Sequence, residues 1–143
     1  MPVDENTSLP KAESPYAYTK QIGEVMLEDF CKVNTSFNAI ALRYFNPVGA
    51  HESGLNGESP INKPNNLVPI ITGTAIGRIP QLTVHGGDYP TRDGTCVRDY
   101  IHVSDIADAH VLALKFLMEK RNSKNCDVFN LGTGNGVSVL EAI

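Results

Sequence analysis

The stretch Phe37-Asn-Ala-Ile-Ala-Leu-Arg-Tyr-Phe45 is a nearly continuous apolar run in a chain of 143 residues. Such runs are typical of strands that are buried on both faces of a parallel sheet, beneath covering helices. Immediately upstream, apolar residues between Pro15 and Val33 recur at helical spacing, and Ser14 is a natural N-cap for that helix. A helix followed by a buried strand favours an α/β fold.

The alternation of helices and strands continues downstream. Residues 46–65 form a loop rich in Gly, Pro and Asn, and loops of this length inside a compact domain are usually functional or disordered. Beyond it the patterns predict a helix, two strands, a helix, a third strand and the start of a further helix at Ser138. The predicted bounds are Leu67–Arg78, Gln81–His85, Val97–Val103, Ser104 or Asp105 to Glu119, and Val128–Leu131. We therefore expect parallel strands near residues 38–45, 97–103 and 128–131.

Composition and charge exclude several classes of protein. With 41% hydrophobic residues, 20% charged residues and a net charge of −4, the chain predicts a soluble globular protein that does not bind nucleic acid. No apolar run approaches the roughly 20 residues that span a bilayer, and the first residues do not resemble a signal peptide. The 3 cysteines lack a Cys-x-x-Cys motif, which favours reduced thiols in the cytoplasm. The 4 histidines lack ligand spacing, so no metal site is expected.

Tyr16 and Lys20 are the strongest catalytic candidates. They lie four residues apart within the predicted helix, so that the phenol and the ammonium share one face. A positive charge beside a tyrosine stabilises its phenolate, and the tyrosine can then act as a base near neutral pH. The same spacing also occurs on ordinary solvated helix faces, so the pair needs support from other motifs.

The glycine-rich segment Gly132-Thr-Gly-Asn-Gly136 follows a predicted strand and precedes a predicted helix. Dinucleotide-binding turns have that placement, but their glycines follow the pattern Gly-x-Gly-x-x-Gly. Because the spacing here differs, and because the segment follows Tyr16 instead of preceding it, we interpret it as a plain strand-to-helix turn.

Five sequence blocks, taken together, carry a resemblance to a known family. They are Tyr16-x-x-x-Lys20, Arg43-Tyr-Phe-Asn-Pro-Val-Gly-Ala-His51, Pro64-Asn-Asn-Leu67, Gly86-Gly-Asp-Tyr-Pro-Thr-Arg-Asp-Gly-Thr95 and Val97-Arg-Asp-Tyr-Ile-His-Val103. In this order and at these separations they resemble the UDP-glucose 4-epimerases, a family of the extended short-chain dehydrogenase/reductase superfamily. Tyr-x-x-x-Lys identifies only the superfamily, whereas the other blocks are much more specific. The resemblance covers the whole chain.

The resemblance implies a fold and a domain organisation. The chain is expected to form the second half of a Rossmann-type parallel sheet, with part of an interleaved substrate-binding lobe. Residues 1–143 are then a fragment of one NAD-dependent epimerase/dehydratase domain, whose Gly-rich N-terminal half and extreme C-terminus lie outside this sequence. The Ser or Thr that partners the tyrosine in this superfamily is also missing, unless Thr7 or Ser8 takes that place.

The cofactor implied by the resemblance is NAD, which accepts hydride from C4 of the sugar while a base removes the 4-hydroxyl proton. Tyr16 would be that base, and Lys20 would hold the nicotinamide ribose and keep the phenolate available. Tyr44 and Phe45 match positions beside the nicotinamide. The 4-keto sugar then turns over and takes the hydride back on its opposite face.

The remaining matches concern a UDP-sugar substrate. Asn46 offers an amide to sugar or phosphate oxygens, although it also suits a turn before Pro47. Asn66 and Leu67 begin a predicted helix, where free N–H groups suit a diphosphate or merely an ordinary cap. Arg98 could pair with phosphate or form a surface ion pair. The segment matched to the uracil-binding strand comprises Thr83, Val84 and His85, and His85 replaces the phenylalanine of the family.

These matches predict interconversion of UDP-glucose and UDP-galactose, in a homodimer in the full-length protein. The alternatives are another nucleotide-sugar epimerase, a 4,6-dehydratase or a decarboxylase of the same superfamily, or a catalytically dead binding module. Acetylated UDP-sugars remain open as substrates. We expect the 143-residue chain to be inactive alone.

Overall fold

The computed structural model describes residues 3–143, which form nine helices and strands in an α/β arrangement. In chain order they are α1 (Pro15–Val33), β1 (Ala39–Tyr44), β2 (Asn46–Val48), α2 (Leu67–Ala75), β3 (Val97–His102), α3 (Val103–Met118), β4 (Cys126–Leu131), β5 (Gly136–Ser138) and α4 (Val139–Ala142). They divide into two compact units, the first comprising Met1–Arg43 and Ala107–Leu131 and the second comprising Tyr44–Ile106 and Gly132–Ile143. The predicted α/β class is confirmed.

The first unit is built on helix α1 and the two-stranded sheet β1-β4. The side chain of Ser14 accepts a hydrogen bond from the Ala17 N–H at 3.1 Å, and Pro15 occupies the first turn, where its missing N–H costs nothing. The helix therefore begins where the sequence predicts, and its predicted end at Val33 is also confirmed. Cys31, only 1% exposed, anchors its buried face.

The second unit contains the three-stranded sheet β2-β3-β5. Strands β2 and β3 run parallel, with Asn46 opposite Tyr100, and β5 runs antiparallel to β3. The prediction of one strand over 38–45 that shares a sheet with 97–103 and 128–131 is wrong in detail. The chain breaks its pairing at Phe45, β1 pairs with β4, and β2 pairs with β3. Pro47 lacks an N–H, so β2 is suited to an edge position.

Gln81–His85 does not form a strand, and that prediction is wrong. A strand needs a neighbour for its N–H and C=O groups, and within residues 3–143 no other strand pairs with this segment. Helix α2 ends at Ala75, before the predicted Arg78. Gly77 follows in the left-handed conformation, with φ 74°, and its N–H reaches the Thr74 carbonyl at 3.0 Å, which closes the helix.

The chain around Ser138 folds as a strand and then a helix. Strand β5 was not predicted, whereas the predicted helix start at Ser138 is confirmed by a capping box. In it Ser138 Oγ accepts from the Glu141 N–H at 3.2 Å, and Glu141 Oε2 accepts from the Ser138 N–H at 2.8 Å. Helix α3 begins at Val103, directly after β3, one residue ahead of the predicted cap.

No helix within residues 3–143 is long and apolar enough to cross a membrane.

Candidate active site

Helix α1 places Tyr16 and Lys20 together on its surface. The Lys20 Nζ lies 5.0 Å from the centroid of the Tyr16 ring, close enough for a cation–π contact. The Tyr16 side chain is 72% exposed, so its hydroxyl is accessible to a ligand. A base that must meet a substrate needs this combination of a nearby cation and an open approach.

Helix α1 is tied to strand β1 by the side chains of Glu24 and Arg43. Arg43 donates from Nη2 to Glu24 Oε2 at 2.6 Å and from Nε to Oε1 at 2.8 Å. The hydrogen bond to Glu24 raises the pKa of Arg43, so the guanidinium stays charged. Arg43 stands in one of the five sequence blocks, whereas Glu24 belongs to none of them and was not predicted to take part in the site. The available signal was the position of Glu24, four residues after Lys20.

Asn46 opens strand β2 in the second unit. Its Nδ2 donates to the main-chain carbonyl of Asp99 at 2.8 Å, across the β2–β3 pair. Because a carbonyl oxygen can only accept, this contact fixes the amide orientation and turns Oδ1 the other way. Phe45 precedes it, half-buried, with its ring near Gly132, and Tyr44 is 46% exposed.

The glycine-rich turn 132–136 holds the carboxylate of Asp99. Asp99 accepts from the Thr133 N–H at 2.9 Å, the Thr133 hydroxyl at 2.8 Å and the Gly134 N–H at 2.8 Å. Burial acts to raise the pKa of Asp99, but these hydrogen bonds outweigh it and lower the pKa overall. The N–H groups that a dinucleotide turn would offer to a phosphate are therefore occupied by an acid of the same chain. The turn joins strand β4 to the short strand β5, which then leads into α4, so the interpretation as a direct strand-to-helix turn is wrong in detail.

Asn66 and Leu67 stand at the N-terminus of α2, as predicted. Asn66 is the N-cap, but its side chain does not cap the helix; its Nδ2 instead faces Glu58 Oε1 at 3.4 Å. The N–H groups of Leu67 and Val68 are thus left for another acceptor, whereas Pro69 in the same turn has no N–H to offer. Beside them lies an open cavity of about 290 Å³ lined by Glu58, Asn66 and the segment 60–65.

Arg98 and the segment Thr83–His85 are exposed. Arg98 donates from Nη1 to the Val97 carbonyl at 3.2 Å, and it forms no salt bridge with a carboxylate among the described residues 3–143. Its guanidinium is therefore available to an anion. Thr83, Val84 and His85 lie in irregular backbone, and the structure does not bring them into hydrogen-bond contact with Arg98.

The loop that joins His85 to Arg98 is fixed to the β5–α4 segment. Arg92 donates hydrogen bonds from Nε and Nη2 to the two carboxylate oxygens of Glu141. Its Nη2 also donates to the Gly136 carbonyl at 2.8 Å. The hydrogen bond from Arg92 lowers the pKa of Glu141 to about 2. Asp93 accepts from Ser138 Oγ and from the Thr95 hydroxyl at 2.7 Å. Arg92 and Asp93 stand in one of the five sequence blocks, but the sequence predicted no role for them, because their partners Glu141 and Ser138 lie 49 and 45 residues away.

Two further expectations concern residues outside these clusters. The Thr7 hydroxyl donates to Asp4 Oδ1 at 2.7 Å in a local turn of the N-terminal segment. No group of three or more His, Cys, Asp or Glu side chains within residues 3–143 has metal-binding geometry.

The candidate residues are divided between the two units. Tyr16 and Lys20 belong to the first unit, and the second unit contains the substrate candidates Asn46, Asn66, Leu67, Thr83, Val84, His85 and Arg98.

Comparison with known proteins identifies similar sequences and structures. Over its full length the chain is 51% identical to a UDP-glucose 4-epimerase of Erwinia amylovora and covers 42% of it. It is 52% identical over 93% of its length to a bifunctional UDP-glucose and UDP-xylose 4-epimerase of Pisum sativum, of which it covers 38%. The chain therefore spans about two fifths of the length of the curated relatives it matches.

Solved structures show the same likeness. A UDP-glucose 4-epimerase from Stenotrophomonas maltophila, with bound NAD and formylated UDP-arabinopyranose, superposes on 99% of the chain with a TM-score of 0.93 and 51% identity; the chain covers 41% of it. The enzyme from Bifidobacterium longum in complex with NAD+ and UDP superposes on 100% with a TM-score of 0.90 and 45% identity, and 42% of it is covered.

The sequence model of one family, described as the NAD dependent epimerase/dehydratase family, matches residues 1–132. A match over this span agrees with the Tyr16–Lys20 pair on α1 and with the α/β architecture around it. The chain belongs to the NAD dependent epimerase/dehydratase family.

Proposed function

We propose that the complete protein containing this chain interconverts UDP-glucose and UDP-galactose with tightly bound NAD. The observation that carries the proposal is the Lys20 ammonium 5.0 Å from the ring of the accessible Tyr16. Support comes from the relatives, which are UDP-glucose 4-epimerases, two of them with NAD in their structures.

The residues of α1 fit the cofactor that the family uses. Lys20 carries three N–H donors on an exposed face, and Tyr16 presents its hydroxyl beside them, which suits the hydroxyl groups of a nicotinamide ribose. NAD, when bound, would supply the group that takes up the hydride from C4 of the sugar and gives it back. Tyr16 removes the proton of the 4-hydroxyl as that hydride leaves and returns it at the end of the cycle. Lys20 stabilises the phenolate form of Tyr16 before the proton is removed and after it has been returned. Tyr44 and Phe45 are proposed to lie beside the nicotinamide.

The second unit supplies the proposed substrate contacts. Arg98 offers a planar guanidinium that no carboxylate among residues 3–143 occupies, and the N-terminus of α2 at Asn66 and Leu67 offers free N–H groups. Both suit a diphosphate. Asn46 is proposed to contact the sugar, and Thr83, Val84 and His85 to contact the uracil. Firm binding of the nucleotide leaves the sugar free to turn over.

Three features of the whole protein are also proposed. A homodimer would use α1, which exposes Tyr18, Met26 and Val33 at 57%, 66% and 79%. A cytoplasmic location is supported by Cys31, Cys96 and Cys126, which are all free thiols. Residues 1–143 would form part of one epimerase/dehydratase domain, as their two-fifths share of the relatives' length suggests.

The test is to assay the complete gene product, loaded with NAD, on UDP-glucose. Formation of UDP-galactose supports the proposal; a dehydrated or decarboxylated product would assign it to another reaction of the superfamily, and binding without conversion would make it a binding module. UDP-xylose and the N-acetylated UDP-sugars define the substrate range. Tyr16→Phe should lower turnover by about 10²–10⁴-fold while UDP binding stays near wild type. Full activity in that variant would remove Tyr16 from the mechanism.

A further inference from the structure

The ion pair between Arg43 and Glu24 is sheltered from solvent. Their side chains are 23% and 27% exposed, whereas Lys32 and its partners Glu28 and Asp29 on the same helix are all more than 60% exposed. Arg43 also engages both carboxylate oxygens, at 2.6 and 2.8 Å. A two-point pair with limited exposure holds its partner in one place more firmly than exposed pairs do.

Glu24 occupies a sensitive position on α1. It lies one helical turn beyond Lys20, which itself lies one turn beyond Tyr16, so the three side chains share a face. Opposite charges four residues apart attract each other on a helix, even in the order Lys then Glu, which is the weaker one. A Glu24 released from Arg43 would therefore draw the Lys20 ammonium away from Tyr16. The unpaired carboxylate would also disfavour a phenolate on the same face.

The other charged groups around this pair do not take over the role of Arg43. A cavity of about 440 Å³ beside the pair is also lined by Glu28 of α1 and by Cys126 of β4. Burial raises the pKa of the Cys126 thiol to about 11, so it is neutral. In the N-terminal segment the Glu5 side chain accepts from the Asn130 N–H at 2.8 Å. Closer to Tyr16 along the chain, Lys11 and Glu13 are both exposed.

We propose that Arg43 is a positioning residue for the Tyr16–Lys20 pair: by holding both oxygens of Glu24 against strand β1, it leaves the Lys20 ammonium to Tyr16. The inference rests on the proposed function, in which Tyr16 is the base. It predicts a specific asymmetry, because the damage caused by losing Arg43 comes from the acid that it releases. Removing that acid as well should repair the damage.

The experiment uses the complete, NAD-loaded protein and four variants: Arg43→Met, Glu24→Gln, the double variant, and Lys32→Met as a matched control. Phenolate absorbance is titrated against pH, and each protein is compared with its own Tyr16→Phe counterpart so that the signal of Tyr16 is isolated. The pH dependence of kcat on UDP-glucose is recorded in parallel. Arg43→Met should move the phenolate absorbance curve and the acidic limb of kcat to higher pH, because the released Glu24 carboxylate opposes a negative charge on the same face. The double variant should return both to the wild-type position, and Glu24→Gln and Lys32→Met should not move them upward.

A purely structural role for Arg43 makes a different prediction. In that case Arg43→Met and Glu24→Gln break the same link, so their pH profiles should match and the double variant should not be rescued; that pattern, or no shift in Arg43→Met, would overturn the proposal. If Arg43→Met does not fold, Arg43→Lys keeps the charge without the two-point geometry and should give a smaller upward shift. The absorbance titration needs no substrate. A wild-type protein that fails to convert UDP-glucose would therefore refute the proposed function and leave this test intact.

Discussion

The side-chain amide of Asn46 and the main-chain carbonyl of Asp99 are joined by a hydrogen bond of 2.8 Å. The two residues lie 53 positions apart in the sequence. The bond links the parallel strands β2 and β3 at the first residue of β2, directly after Phe45. The carboxylate of the same Asp99 holds the turn 132–136. Asp99 therefore connects the candidate sugar contact, the centre of the sheet and the glycine-rich turn.

Replacing Asn46 by Asp should destabilise the protein and weaken substrate binding. The new carboxylate cannot donate to the Asp99 carbonyl, and two oxygens would face each other in a half-buried place. We expect a loss of about 1–3 kcal/mol in the free energy of unfolding, measured by urea titration of the complete protein. Asn56→Asp makes the same chemical change at an exposed position of the loop 49–65, outside strand β2, and should leave stability unchanged. Equal effects of the two substitutions would contradict this account.

Two glycines should respond in opposite ways to replacement by alanine. A Cβ on Gly132 would lie 2.6 Å from Asp99 Oδ2 and 3.0 Å from Phe45 Cδ2, so the carboxylate or the ring must move. We expect Gly132→Ala to cost about 1–3 kcal/mol. A Cβ on Gly23, inside α1, meets nothing within 4 Å. Gly23→Ala should stabilise by about 0.4–1 kcal/mol, because alanine loses less backbone entropy on folding. Thermal unfolding of both variants checks the sign as well as the size.

The Arg92–Glu141 pair should contribute to acid sensitivity. The pKa of Glu141 falls from 4.5 to about 2 in the folded chain. The pKa of Glu141 is lower in the folded chain than in the unfolded chain. The stabilisation that the Arg92–Glu141 pair contributes is therefore fully present above pH 4.5 and is lost progressively as the pH falls toward 2. Arg92→Ala should therefore make the free energy of unfolding, measured by urea titration, less dependent on pH between pH 4.5 and about 2. Glu13→Gln, which removes an exposed carboxylate, serves as the control and should keep the wild-type slope.

The Cys126 thiol should resist alkylation in the folded protein. Burial, followed by the hydrogen bond with Cys31, raises its pKa from 9.0 to about 11, and only the thiolate reacts. At pH 8 the thiolate fraction is then roughly a hundredfold lower than in the unfolded chain, since each pH unit is a factor of ten. Rates of iodoacetamide labelling at Cys126, followed by mass spectrometry with and without urea, give the comparison. Equal rates in the two states would show that the thiol is not shielded.

A polypeptide of residues 1–143 should not epimerise UDP-glucose by itself. The sequence has no Gly-x-Gly-x-x-Gly turn, and the N–H groups of Thr133 and Gly134 are taken by Asp99. Without an anchored cofactor the orientation of the reacting carbon is lost, and orientation can supply about 7–11 kcal/mol of a barrier. Calorimetry with NAD and with UDP, followed by an assay for UDP-galactose, should show weak UDP binding only. Micromolar NAD affinity with turnover would refute the expectation.

Local sequence determined the features whose interactions are short in range. The bounds of α1 follow from the cap at Ser14, the proline after it and the helical spacing of apolar residues, and all of these act within a few positions. The approach of Lys20 to Tyr16 follows in the same way from a separation of four residues on a helix. The start of α4 at Ser138 is likewise a local capping signal. These predictions were confirmed because the residues that cause each feature are the ones that display it.

Tertiary structure decided what depends on distant partners. The pattern over 81–85 suits a strand, but a strand exists only where a neighbour pairs with it, and no strand of residues 3–143 does so here. The apolar run 37–45 does not show that pairing changes at Phe45, since β1 and β2 find their partners more than 50 residues downstream. The ion pair between Arg43 and Glu24, and the hydrogen bonds from the 132–136 turn to the Asp99 carboxylate, likewise cannot be predicted from the pattern of neighbouring residues. Such contacts depend on which charged groups and N–H groups the folded backbone brings together, and that is set by strand pairing across the whole chain.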